Sequence, residues 1–310
     1  MVDLKIKLPN GFLDEEIRCD HLVTKKMKEI WAIELDLLAE FQRVCDKHGI
    51  KYFASGGTLL GAVRHKGFIP WDDDLDIEMF REDYVKLCQV GPKEFKYPYV
   101  FQNEYTESGS CIGSSKLRNC QTMARYTFEE KKCFRGYDKG IFIDIFPLDN
   151  ILDDEELQKK KMKKVKFYGR LFATIIDIYF DRVSFYMKCG NKSPLTKMKK
   201  FFRPILFYPC KWSRRYIYKQ YEDACAKGNG NICQKIAIYQ IFNKRTIHDR
   251  KDYNRIIFLD FEFLRIPVPY DYDNWLTKAF GNWHLYVKGG ALHGNGVLMF
   301  DTSHPFTDTE

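Results

Sequence analysis

The sequence predicts an α+β protein, a mixed β-sheet flanked by helices and interrupted by a helical insertion. Three observations lead there. A long amphipathic helical pattern opens the chain, short strand-like segments recur through residues 50–146, and a lysine-rich helical stretch follows before strand-like composition returns near Ile256. The 310 residues, 45% hydrophobic and 16% aromatic, supply ample material for a core.

From Leu22 to Cys45 the residues Met27, Ile30, Trp31, Leu35, Leu38, Phe41 and Cys45 recur at helical spacing, and His48-Gly49 supplies the stop. Ile50 to Ala54 reads as a short strand, Ser55-Gly56-Gly57-Thr58 as a turn, and Leu59 to Val63 as the start of a helix. The second half of Trp71 to Met79 alternates acid and hydrophobe, which predicts a strand with Leu75 and Ile77 inward and the acids outward. Glu82 to Val90 reads as a helix. Tyr99 to Asn103, Cys111 to Leu117 and Thr122 to Tyr126 read as further strands, and Gly140 to Phe146 is the strongest, ended by Pro147. Asp153 to Tyr179 and Lys197 to Ala226 have helical spacing, with a break at Asn191 to Pro194. Ile256 to Val268 returns to strand, Tyr272 to Phe280 makes a short helix capped by Gly281, and the tail after Gly289 is loop-like. The chain thus divides into a core with an N-terminal helix at 1–152, a basic aromatic helical region at 153–255, and a C-terminal segment returning to the core at 256–310.

Charge is unevenly placed. Between Leu157 and Gln220 stand 13 lysines and 5 arginines against Asp177 and Asp181, a net +16 within a chain of net +8, so the remainder sums to −8. Such a polarised molecule turns its basic segment toward something anionic. Lysine clusters mixed with Phe, Tyr and Trp suit peripheral contact with an anionic membrane, where each cation contributes about 1 kcal/mol, or else form a solvated helical face. Met1 to Asp20 lacks the pattern of a signal peptide, and the apolar run Leu171 to Phe180 is short and interrupted by Asp177, so the expected location is cytoplasmic, peripheral on the inner membrane face. The ten cysteines show no CxxC pair and no His in zinc-ligand spacing, and read as reduced, mostly buried thiols.

The chemistry sits where Gly56-Gly57 is followed, about seventeen residues on, by Asp74-Leu75-Asp76. A glycine turn at a helix start lets backbone amides and the helix dipole meet a phosphate. Two aspartates at i and i+2 of a strand share one face and can share a hard cation such as Mg²⁺. Asp144, between Ile143 and Ile145, is a third carboxylate that needs a partner in so apolar a run. Together these make a phosphoryl-transfer site. Taken singly, the glycines read as an ordinary turn, Asp72 to Asp74 as a solvated acidic loop, and Asp144 as a buried acid bonded to backbone amides. Arg64, Lys116 and Arg118 are candidate phosphate contacts or surface cations, and His65 and His293 read as structural.

Phe53 to Arg64 (FASGGTLLGAVR), Gly67 to Asp76 (GFIPWDDDLD) with Asp83-Tyr84, Gly140 to Asp149 (GIFIDIFPLD), Phe261 to Pro269 and the Trp275 to Gly281 helix together resemble the LicD family. That resemblance implies a nucleotidyltransferase-like core. It also implies transfer of phosphocholine from a CDP-choline donor to a glycan acceptor such as teichoic acid, lipooligosaccharide or capsule, or, as in the fukutin relatives, of ribitol phosphate from CDP-ribitol. Asp74 and Asp76 match the family's metal-binding pair, with Asp72 beside them, and Asp144 matches the third acidic position. The implied cofactor is Mg²⁺ or Mn²⁺, with the donor diphosphate over Gly56, Gly57 and Thr58. Where many members have Tyr-Gly-Asp and a proline-containing loop, this chain has Phe280-Gly281-Asn282 and Lys288-Gly289-Gly290, so the acceptor side is not carried over. The transferred head group is left open between choline and another alcohol. Trp31, Trp71, Trp212, Trp275 and Trp283 offer rings for a quaternary ammonium box or for the core. Competing classes are a true nucleotidyltransferase, a nucleic-acid-binding protein and a silent scaffold. No nucleic-acid-binding pattern is present, and the intact Asp74, Asp76 and Asp144 argue against a scaffold.

Overall fold

A computed structural model of the chain describes residues 1–109, 113–126, 129, 136–191, 193–287 and 298–307. Cys111, Cys133, His293 and Lys288-Gly289-Gly290 lie outside the described residues, as does the start of the strand expected at Cys111 to Leu117. After a small hairpin (β1, Glu16–Arg18; β2, His21–Val23) comes α1 (Lys25–His48), started by Thr24 accepting from Met27 N and stopped at Gly49, whose φ of 61° glycine adopts readily. Every residue of α1 from Ile30 to Leu38 is buried, which makes it the central helix and obliges its two acids, Glu34 and Asp36, to find partners. Asp36 does so: it accepts from Lys5 N and Ile6 N at 2.9 Å and from Tyr99 OH at 2.7 Å.

Next come β3 (Phe53–Ala54), α2 (Gly56–His65), β4 (Asp76–Phe80), α3 (Arg81–Glu94), β5 (Tyr99–Gln102), β6 (Ser115–Asn119), β7 (Met123–Tyr126) and β8 (Ile141–Ile151). Strand β8 is the spine of a mixed sheet. It pairs parallel with β4 along one edge and antiparallel with β6 along the other, while β3 extends the sheet beyond β4 and β5 beyond β6. Helices flank this sheet, the arrangement expected of a nucleotidyltransferase-like core.

Pro147 does not end β8, which runs on to Ile151. Asp144 N donates to Leu75 O on the β4 side, so by strand alternation the N–H missing at Pro147 would face the other edge. There β6 has already ended, with Ser115 opposite Ile145, and the next partner begins only at Asp149. Proline is tolerated because it falls in the gap between two partners.

The basic region forms α4 (Glu155–Tyr179), α5 (Arg182–Lys188) and α6 (Pro194–Ala226). Helices α4 and α6 pack around their own cluster of Val165, Phe172, Ile176, Tyr218, Tyr221 and Cys225. The chain then rejoins the sheet through β9 (Lys235–Ala237) and β10 (Ile247–Asp249), β9 lying antiparallel on the end of β8. No described helix is long and apolar enough to cross a membrane. All eight described cysteines are free, with Cys45, Cys210, Cys225 and Cys233 buried.

The C-terminal segment buttresses the core. β11 (Ile256–Phe261) and β12 (Leu264–Pro269) form a hairpin whose turn residue Glu262 accepts from Phe68 N and pairs with Arg18 at 2.6 Å. α7 (Tyr272–Phe280) follows, ended by Gly281. The tail is not wholly loop, since β13 (Leu298–Asp301) pairs with β7. Glu78 on β4, expected to face outward, is fully buried: it accepts from Ser55 Oγ at 2.8 Å and Tyr253 OH at 2.6 Å, and Tyr253 OH accepts in turn from Trp275 Nε1 at 2.7 Å. Glu78 is therefore covered by Tyr253 and, through it, Trp275, a long-range contact that alternation along one strand does not reveal.

Burial pushes the Glu78 carboxyl up from 4.5 to about 7. Because the folded form favours the proton, this group's contribution to stability is full below pH 4.5 and is lost as pH rises through about 7. Glu78→Gln is expected to lack that slope, so urea unfolding of wild type should lose on the order of 3 kcal/mol relative to the variant across this window. A difference independent of pH would contradict the assignment.

Candidate active site

The glycine turn is fastened to the first residue of β4. Ser55 N donates to Asp76 O at 3.0 Å, and Asp76 N donates to Thr58 Oγ1 at 2.8 Å. Gly56 has φ +51°, and a Cβ there would lie 2.9 Å from Asp76 Oδ2; a Cβ at Gly57 would collide with Asp72 Oδ2. The positive φ of Gly56 favours glycine, and at both positions a side chain would displace a carboxylate that approaches the start of α2, where the helix dipole is positive.

The acids divide into two sets. β4 begins only at Asp76, so Asp74 is not on the strand, contrary to the i, i+2 expectation; it lies in the preceding loop with Asp72 and Asp73. One carboxylate oxygen from each of these three falls within 4.8 Å of the others. Asp76 stands in register with Asp144 across the parallel β4–β8 pair, and Asp144 in register with Lys116 on β6. Directly opposed residues share a sheet face, so Asp76, Asp144 and Lys116 form a row across three strands. Lys116 Nζ lies 2.6 Å from Asp144 Oδ1 and 3.5 Å from the centre of the Phe142 ring. Asp144 thus has the partner its burial demands.

Trp31 Nε1 donates to Asp72 O at 2.9 Å, and its ring stacks on Phe68, so α1 anchors the acid loop. One turn further along the same helix face comes Glu34, 1% exposed, whose Oε2 has no hydrogen-bond partner. Burial, and then the charges of Asp74, Asp73, Asp72 and Asp76, push the Glu34 carboxyl well above its usual range. Asp72 is pushed up likewise, by burial and by Asp74. A cluster of acids so close, with one buried oxygen unsatisfied, suits a hard divalent cation, whose oxygen ligands these are. Glu34 was absent from the sequence-based candidates although its position signals it: it follows Ile30 and Trp31 by four and three residues, an acid on the apolar stripe of α1.

The cation candidates separate. Arg118 is 5% exposed and donates to Gln102 Oε1 at 2.6 Å and Gly140 O at 2.7 Å, a clamp between strands. Arg64 lines a cleft of about 680 Å³ that also contains Gly57, Trp71, Asp72 and Trp283. Its Nη1 donates to Trp283 O at 2.9 Å and Leu285 O at 3.2 Å. Arg245 and Lys278 line the same cleft and were not among the candidates, because nothing in the sequence links them to residues 56–76. His65 accepts from Arg64 Nε at 2.9 Å, and burial with the nearby Arg64 lowers it to about 4, in keeping with a structural role. Of the tryptophans, Trp71 and Trp283 line the cleft, Trp31 and Trp275 are core, and Trp212 is exposed on α6.

Residues 49–185 match the family described as LicD/FKTN/FKRP, nucleotidyltransferase domain. The chain is 25% identical over 259 residues, 83% of its own length and 91% of the relative's, to the lipopolysaccharide cholinephosphotransferase LicD of Haemophilus influenzae. It is 37% identical over 158 residues to an uncharacterized protein of Rickettsia prowazekii, covering 50% of this chain and 55% of the other. A shorter stretch of 46 residues is 48% identical to human ribitol 5-phosphate transferase FKRP, covering 15% of this chain and 9% of the relative. The glycine turn, the acid loop and Asp144 all fall inside residues 49–185, the span similar to the LicD/FKTN/FKRP nucleotidyltransferase domain.

Proposed function

We propose that this chain transfers phosphocholine from CDP-choline to a hydroxyl of a cell-surface glycan, releasing CMP, on the cytoplasmic side of the membrane. One observation carries the reading: the acid cluster of Asp72, Asp73 and Asp74 lies beside a helix N-terminus whose two glycines leave room for the carboxylates of Asp72 and Asp76. An assembly that sets a cation site beside a positive helix end is suited to a diphosphate.

Asp72, Asp74 and Asp76 would hold Mg²⁺ or Mn²⁺, with Asp73 and Glu34 close by, and the ion would offset charge on the departing CMP. Gly56, Gly57 and Thr58 give the donor diphosphate its seat at the start of α2. Arg64, Arg245 and Lys278 bring positive charge to the cleft that opens from it. Asp144, the acid in register with Asp76, is the group to accept the acceptor hydroxyl's proton or to complete the cation's ligands. Trp71, Phe280 and Trp283 place aromatic rings in the cleft, which suits a quaternary ammonium. A polyol phosphate donor is the second reading, supported by the FKRP similarity, and CDP-glycerol and CDP-ethanolamine are further variants. A true nucleotidyltransferase would instead leave the nucleotide half of the donor on the acceptor.

Asp74→Asn and Asp76→Asn are each expected to abolish CMP release with thermal unfolding nearly unchanged, since these charges serve the cation rather than the core. A wild-type rate in either variant at saturating Mg²⁺ would sink the assignment. Offered CDP-choline, CDP-ribitol, CDP-glycerol and CDP-ethanolamine in parallel, the enzyme should release CMP from the choline donor at least about tenfold faster, equivalent to about 1.4 kcal/mol in the transition state. Equal rates, or preference for a polyol, would overturn the donor and leave the chemistry standing.

A further inference from the structure

Helix α6 is apolar on two opposite sides. One side is buried against α4, through Cys210, Tyr218, Tyr221 and Cys225 among others. The other carries Met198, Phe201, Ile205, Tyr208, Trp212 and Tyr216, which are 52%, 77%, 71%, 58%, 75% and 63% exposed. These six follow one another at steps of three or four residues, so they form a single stripe along about five turns of helix. A soluble face has no use for so many large apolar side chains in one line, and a contiguous patch of this kind marks a contact surface.

The charge around the stripe selects the partner. Lys197, Lys200, Lys211 and Arg215 on α6 are exposed, and the sequence has no acidic residue between Asp181 and Glu222. Exposed lysines continue on α4 at Lys163, Lys164 and Lys166. Two copies meeting stripe to stripe would set these cations against each other, which disfavours a symmetric dimer. An aromatic and aliphatic stripe flanked by cations matches a helix lying in the headgroup boundary of an anionic bilayer, with Trp and Tyr at the depth where their rings are stable.

We propose that α6 is a membrane-docking helix whose stripe from Met198 to Tyr216 inserts into the surface of an anionic bilayer while the flanking lysines and arginines contact its headgroups. This goes beyond the basic-segment expectation by naming an inserting face. It is independent of the identity of the donor.

The chain contains its own probe. Trp31, Trp71, Trp275 and Trp283 are between 0% and 8% exposed, against 75% for Trp212, so a change in tryptophan emission on contact with lipid reports chiefly on the stripe. The full chain would be mixed with vesicles of phosphatidylcholine alone or of phosphatidylcholine with phosphatidylglycerol, at low salt. With the anionic vesicles, co-sedimentation, a blue shift and quenching by brominated lipid are expected, with the spectral changes lost in Trp212→Phe. The Phe201→Glu/Ile205→Glu double variant should partition at least about tenfold more weakly while keeping the wild-type melting temperature. The proposal is overturned if the anionic vesicles bind no protein. It is equally overturned if they bind it with Trp212 emission unchanged, which would mean contact by charge alone, or if self-association without lipid hides Trp212.

Discussion

The site depends on how the backbone of Asp76 is held. Its carbonyl accepts from Ser55 and its amide donates to Thr58, so the first residue of β4 and the first turn of α2 are fixed as one unit. From that clasp the rest follows geometrically. Asp76 is in register with Asp144, which meets Lys116, and the carboxylates of Asp76 and Asp72 occupy the space left by Gly56 and Gly57 on α2. Glu78, two residues further along β4, ties the same turn to the C-terminal segment through Ser55 and Tyr253. Segments nearly two hundred residues apart in sequence, at Ser55 and Tyr253, thereby support one loop.

Such a concentration of acids is costly without a counter-charge, and the protein meets the cost unevenly. Asp144 is paired with Lys116, and Asp36 with backbone amides and Tyr99. Glu34 and Asp72 remain in a field of like charge that raises both. Asp36 and Glu78 are satisfied by hydrogen bonds that hold the fold, Asp144 is held by Lys116 in register with Asp76, and the acids near the glycine turn form the cluster that suits a ligand. The basic helices keep their positive charge apart from this centre, in a hairpin with its own apolar cluster, so that a cation site and a cationic surface coexist in one chain.

Much of this was legible in the residues. The α1 periodicity with its stop at His48-Gly49, the strength of β8 and the Tyr272–Phe280 helix all rest on local patterns; α1 starts at Lys25 rather than Leu22, β8 runs past Pro147, and from Gly56 on the expected turn is the first turn of α2. What failed to show was non-local. Pro147 passes through β8 because two neighbouring strands leave a gap there, Glu78 is covered by residues from the far end of the chain, and Arg118 is drawn into a clamp with Gln102 and Gly140. Arg245 and Lys278 reach the cleft only through tertiary folding. Glu34 is the exception, since an acid on the apolar stripe of α1 was readable as an anomaly from the sequence.

The central claim is that the acids packed against the glycine turn bind a divalent cation that meets the donor diphosphate. Paramagnetic broadening of the ³¹P signals of CDP-choline by Mn²⁺, with the protein present, tests it most directly. Protein-dependent broadening is expected, abolished by Asp74→Asn and left in place by Arg118→Lys. Broadening of equal strength with wild type and Asp74→Asn would mean that the cation and the diphosphate meet elsewhere, and would contradict it.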